Sequence, residues 1–79
     1  MQDKWLQRRV TFEEAIEHLS RIWDSDNVVE FRLWHEERFL PGDELWWYDM
    51  GAWEGLSGEC GYAIVRDQII AYLHPVLRN

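Results

Sequence analysis

Apolar residues recur with helical spacing in the first third of the chain. Phe12, Ala15, Ile16, Leu19, Ile22 and Trp23 fall at i, i+3, i+4, i+7, i+10 and i+11, one stripe on a 3.6-residue period. Thr11-Phe12-Glu13-Glu14 has the form of a capping box, in which the Thr11 hydroxyl accepts from a first-turn amide while Glu14 reaches back. The spacing therefore predicts an amphipathic helix starting at Phe12, and Asp24-Ser25-Asp26-Asn27 predicts its end near Trp23 or Asp24. Residues 1–10 read either as an N-terminal arm or as an extension of the helix, since Trp5, Leu6 and Val10 suit both.

From Val28 the period changes to two. Val29, Phe31 and Leu33 alternate with Glu30, Arg32 and Trp34, which predicts a half-buried strand running as far as Phe39. Leu40-Pro41-Gly42-Asp43 then predicts a turn, with proline fixing φ at the first central position and glycine accepting positive φ at the second. The return, Glu44 to Met50, carries bulk on both faces if it is a strand, and a short helix is the other reading. After the glycines at 51, 55, 58 and 61, Tyr62–Val65 and Ile69–Leu73 predict two strands joined by a tight turn at Arg66-Asp67-Gln68, with His74-Pro75 ending the second. The expected fold class is α+β: one amphipathic helix packed on a three- to four-stranded antiparallel sheet, in the order α-β-β-β-β. With 79 residues and no linker or repeat, the chain reads as a single compact domain.

Composition sharpens this picture in three ways. At 47% hydrophobic and 15% aromatic, with only two prolines, the chain is built to bury a core, which excludes a disordered or low-complexity chain. Its longest apolar run is the five residues Ile69–Leu73, against the ~20 that a spanning helix requires, so no membrane segment is expected. The single cysteine, Cys60, forbids an intrachain disulfide, and no signal-like apolar region opens the chain, so a cytoplasmic location is expected.

Charge is the more informative quantity. The net charge of −7 divides into +2 over residues 1–12, −10 over residues 13–59 and +1 over residues 60–79. A surface this acidic disfavours direct contact with a nucleic-acid backbone or an anionic membrane, since both require Lys and Arg.

Candidate chemistry is sparse. His35-Glu36-Glu37-Arg38-Phe39 opens like the zinc-protease motif, but Phe39 stands where the second histidine is needed. His18, His35, His74 and Cys60 are dispersed without finger or ribbon spacing, so no metal site is expected. Cys60 with His35 or His74 as base is a conceivable nucleophile, yet a lone cysteine opening an apolar strand reads more simply as a small hydrophobe. Gly55 to Gly61 lacks the order and the Lys-Ser/Thr of a phosphate loop. No cofactor and no catalysis are expected.

What remains is an acidic middle segment interleaved with Trp46, Trp47, Tyr48 and Trp53. This combination suggests a binding protein whose acidic field steers a basic partner, with aromatic groups for affinity. The expected partner is a basic, nucleic-acid-binding protein whose groove the carboxylates occupy in place of phosphates. Small inhibitors of restriction or CRISPR complexes, carried by phages and mobile elements, share this size and charge, a likeness of type without a shared motif. The expected contact residues are Glu13, Glu17 and Asp24 on the helix, Glu36 and Glu37 in the first strand, Asp43, Glu44 and Asp49 around the turn, and Trp46 and Trp47. The other reading is a homo-oligomeric structural or accessory module, a homodimer for instance, with Trp46, Trp47 and Tyr48 at a symmetric interface.

Overall fold

The computed structural model describes residues 3–50 and 59–78. After one 3-10 turn at Asp3–Trp5 come strand β1 (Leu6–Val10), helices α1 (Phe12–Ile22) and α2 (Ser25–Arg38), and strands β2 (Glu44–Asp49), β3 (Glu59–Arg66) and β4 (Ile69–Arg78). The strands form one antiparallel sheet in the order β1-β2-β3-β4. The α+β class and the four antiparallel strands agree with the sequence reading. The element order does not: it is β-α-α-β-β-β. Trp53, Glu54 and the glycines at 51, 55 and 58 lie outside the described residues.

Two corrections account for the difference. Residues 6–10 are neither arm nor helix but the edge strand β1, with Arg9 opposite Trp46 and Val10 opposite Leu45. Gln7, Arg8 and Arg9 are all exposed and only Val10 is buried, so an edge strand this polar carries no alternating signal. Residues 28–38 belong to a second helix, not a strand. The Asp24 side chain accepts from the amide of Asn27 at 3.0 Å, so the polar run that ends α1 also caps α2. On α2 the inward residues are Val28, Phe31, Trp34 and His35, spaced three and four apart, and Phe31 is fully buried. Tertiary packing here overrides the strand preference of Val28, Val29 and Phe31.

Helix α1 starts as expected. Thr11 Oγ1 accepts from the Glu14 amide at 3.1 Å and Glu14 Oε1 accepts from the Thr11 amide at 2.8 Å. Ala15 and Leu19 are fully buried and Trp23 packs against the core, whereas Ile22, next to last in the predicted stripe, is 48% exposed. Residues of both helices share one core with Val10, Leu45, Tyr62 and Ile64 of the sheet, so both helices cover the same sheet face. The result is a two-layer slab with Cα dimensions of 33 × 30 × 17 Å. None of the helices in the described residues is long and apolar enough to cross a membrane.

The segment 44–49 is a strand, and its position explains its two-sided bulk. As β2 lies between β1 and β3, Leu45 and Trp47 point to the helices while Trp46 and Tyr48 point away. Tyr48 is fully buried on that second face and donates to Glu59 Oε2 at 2.9 Å, so the helix-free face holds buried aromatic bulk as well. β4 continues past His74-Pro75 instead of ending there. Pro75 pairs opposite Gly61 on an edge strand whose register shifts just beyond it, positions where a proline is tolerated.

Candidate partner-binding surface

Each half of the helical layer is set by its caps. The layer spans residues 12–38 and holds eight acidic side chains against Arg21, Arg32 and Arg38, a net −5. Glu13, Glu17, Asp24, Glu36 and Glu37, all expected contact residues, are exposed on this layer. Glu17 is held by Arg21 at 2.5 Å within the helix, and Glu37 lies 3.7 Å from Arg38. Asp24 is occupied in capping α2. Asp26 and Glu30 are also exposed and belong with this group. Their four-residue spacing marks a common helix face, a signal legible once the segment is read as helical.

The other expected residues separate from these. Asp43 is buried, its side chain 3% exposed, and faces inward to an ion pair. Arg66 donates to it from Nε at 3.0 Å and from Nη2 at 2.8 Å, and the Leu40 amide donates at 2.9 Å. The Arg66 guanidinium holds the Asp43 carboxyl below its usual pKa, with the Leu40 amide adding to the effect against the cost of burial. Asp43 is therefore a joint between the turn and β3. It presents no charge to a partner.

Trp47 is likewise turned inward. Its ring meets His18 edge-on at 5.2 Å and Tyr62 at 5.1 Å between ring centroids. Trp46 and Glu44 lie on the helix-free face, where the Trp46 indole donates to Glu44 Oε1 at 2.9 Å and Arg9 stands 3.7 Å from Glu44. Trp46 and Trp47 thus cannot act as one patch, because strand parity puts them on opposite faces. Asp49 is exposed at the end of β2.

The histidines serve packing. His18 Nδ1 and Tyr62 Oη share a hydrogen bond of 2.6 Å, and burial pushes the Tyr62 phenol up to about 12. His35 lies between Phe12 and Phe39 at 4.5 and 4.4 Å, and burial lowers its pKa. His74 packs against Trp34 at 5.0 Å, Phe31 at 5.4 Å and Trp23 at 5.7 Å. Its Nδ1 is buried with no hydrogen-bond partner, and burial lowers its pKa too. Among the described residues no group of three or more His, Cys, Asp or Glu gathers to hold a metal.

An open groove of about 490 Å³ runs between the start of α1 and the end of α2, walled by Val10, Phe12, His35 and Phe39. Of its polar lining groups, Thr11 and Glu14 are engaged in the capping box and Asp43 with Arg66. What the surface offers chemically is a rigid array of carboxylates on one layer. The sequence matches no protein-family model, and no curated protein and no solved structure proved similar to the chain.

Proposed function

We propose that this chain is a non-catalytic binding protein that docks its acidic helical layer on a basic surface of another protein, of the kind that holds nucleic acid. The observation that carries this reading is the segregation of charge: exposed Glu13, Glu17, Asp26, Glu30, Glu36 and Glu37 all stand on the two helices. Caps and a shared core fix those helices, so the carboxylates are presented without the ordering cost that a flexible acidic tail would incur. Lys and Arg of a nucleic-acid groove would meet a preformed anionic surface in place of phosphates.

The test uses the immobilised full chain and a lysate of its host, washed at low and raised salt, with bound proteins identified by mass spectrometry. The expected result is a basic nucleic-acid-binding protein that is lost as salt rises and is displaced by duplex DNA. A Glu13→Lys, Glu36→Lys, Glu37→Lys variant should fail to retain it while staying folded, since all three positions are exposed and the Glu37–Arg38 pair at 3.7 Å is a surface contact of little weight. Equal retention by that variant would overturn the proposal.

A further inference from the structure

Helix α2 is apolar on two opposite sides. Phe31 faces the core and is fully buried, while Val29 and Leu33 are each 51% exposed. At ~100° per residue, both lie about 200° from Phe31, so they occupy the outward pole of the helix. Asp26, Glu30 and Glu37 flank that pole on one side and Glu36 and Arg32 on the other, all within about 60° of the nearer apolar residue. The four carboxylates and Arg32 are exposed, and the Arg32 guanidinium leans toward the Phe12 ring at 5.9 Å, so the rim is net acidic at −3. The inward stripe already packs α2 on the core, and among the described residues Val29 and Leu33 are not part of that packing.

We infer that this face of α2 takes a basic amphipathic helix of the partner protein, with Val29 and Leu33 as its anchors. The inference rests on the reading above that the helical layer is the docking face, and it names the element and the partner's chemistry. Charge decides the occupant. An apolar pair inside a carboxylate rim matches a helix whose own apolar ridge is bordered by Lys and Arg. Shape decides the form, because side chains at i and i+4 make a ridge that seats in the groove between ridges of a facing helix. A second copy of this chain would bring a net −3 rim against an identical one and is repelled. An anionic bilayer is repelled in the same way.

The test titrates the isotopically labelled full chain by NMR with three synthetic peptides. One is a basic helix with leucines at i and i+4 between lysines, one has the same composition scrambled so that no apolar stripe forms, and one replaces the lysines by glutamates. The first should shift the Asp26–Glu37 amides and bind at least ~10-fold more tightly than the scrambled peptide, and the glutamate peptide should not bind. In a Val29→Gln, Leu33→Gln variant the first peptide should fall to the level of the scrambled one, while the thermal midpoint stays unchanged. Equal binding of ordered and scrambled basic peptides, or full retention by the variant, overturns the inference while leaving the acidic docking layer intact. Binding of the glutamate peptide overturns it through the charge argument. Failure of both basic peptides overturns the docking reading as well.

Discussion

Arg66 on β3 closes on Asp43 at the end of the turn before β2, with both carboxylate oxygens accepting from its guanidinium at 3.0 and 2.8 Å. The same Nη2 donates to the Arg38 carbonyl at 3.1 Å, which ties the last turn of α2 to the sheet. One side chain thus joins helix, turn and strand. Asp43→Ala removes the carboxylate and leaves Arg66 Nε and the Leu40 amide without their acceptor, with only the Arg38 carbonyl left to Nη2. The expected cost is about 2 kcal/mol, a fall of roughly 8–16 °C in thermal midpoint for a domain of this size. Circular dichroism melting checks it, and an unchanged midpoint would show the pair to be idle. Because the folded Asp43 pKa lies below its unfolded value of 3.8, this contribution is complete above that pH and is lost as pH falls through the folded value.

Two half-buried histidines, His35 and His74, act at higher pH. Burial lowers the folded pKa of His35 and His74 below the ordinary value of 6.5, so the unfolded chain takes up protons first as the solution is acidified. Stability should therefore begin to fall as pH drops through 6.5, and the loss should level off below the folded values. Urea midpoints measured from about pH 8 to about pH 5 report the slope, and a His35→Phe, His74→Phe double variant should flatten it. The same slope in the double variant would assign acid sensitivity to other groups.

Gly61 lets the backbones of β3 and β4 approach where no Cβ would fit. A Cβ there would come within 2.2 Å of the His74 carbonyl oxygen and 2.8 Å of the Pro75 Cα, both backbone atoms that cannot rotate away. Gly61→Ala should cost about 3 kcal/mol and separate the strands beside the register shift at Cys60/Gly61. Loss of amide protection along residues 72–76 in hydrogen exchange, with β1 less affected, is the expected signature.

The β3–β4 turn is improvable. Asp67 and Gln68 have φ of 53° and 66°, the left-handed region that a two-residue hairpin loop demands at both positions. Aspartate tolerates this, but glutamine pays a steric penalty of about 1 kcal/mol. Gln68→Gly should raise stability by about 0.5–1 kcal/mol, read as a higher urea midpoint at constant slope.

What could be read from the sequence was what local chemistry dictates. The Thr11–Glu14 box, most of the α1 stripe, the turn at Leu40–Asp43 and the hairpin about Arg66-Asp67-Gln68 all depend on neighbours in the chain. The parts that escaped depend on distant partners. Asp24 ends one helix and starts another with the same side chain, so a run read as a break is also a cap. Val29, Phe31 and Leu33 alternate as a strand would, and only the core beneath Phe31 makes them helical. The expected contact residues divide in the same way. Exposure of Glu13, Glu17, Glu36 and Glu37 follows from their polarity, whereas Asp43 is withdrawn by Arg66, 23 residues later in the chain.

Phe31 and Leu33 make the separation between fold and docking face measurable. Phe31 is fully buried among Phe12, Trp34, Tyr62 and His74, so Phe31→Ala leaves a cavity and should cost about 3–5 kcal/mol. For a domain of marginal stability that is enough to populate the unfolded state at ambient temperature. Leu33→Gln, two residues on, replaces an outward side chain with one of similar helix preference and should change stability by no more than about 0.5 kcal/mol. Near-equal losses from the two substitutions would mean that Leu33 is packed rather than presented. A large loss at Phe31 with none at Leu33 would show that Leu33 is presented at the outer pole of α2, as the proposed docking requires.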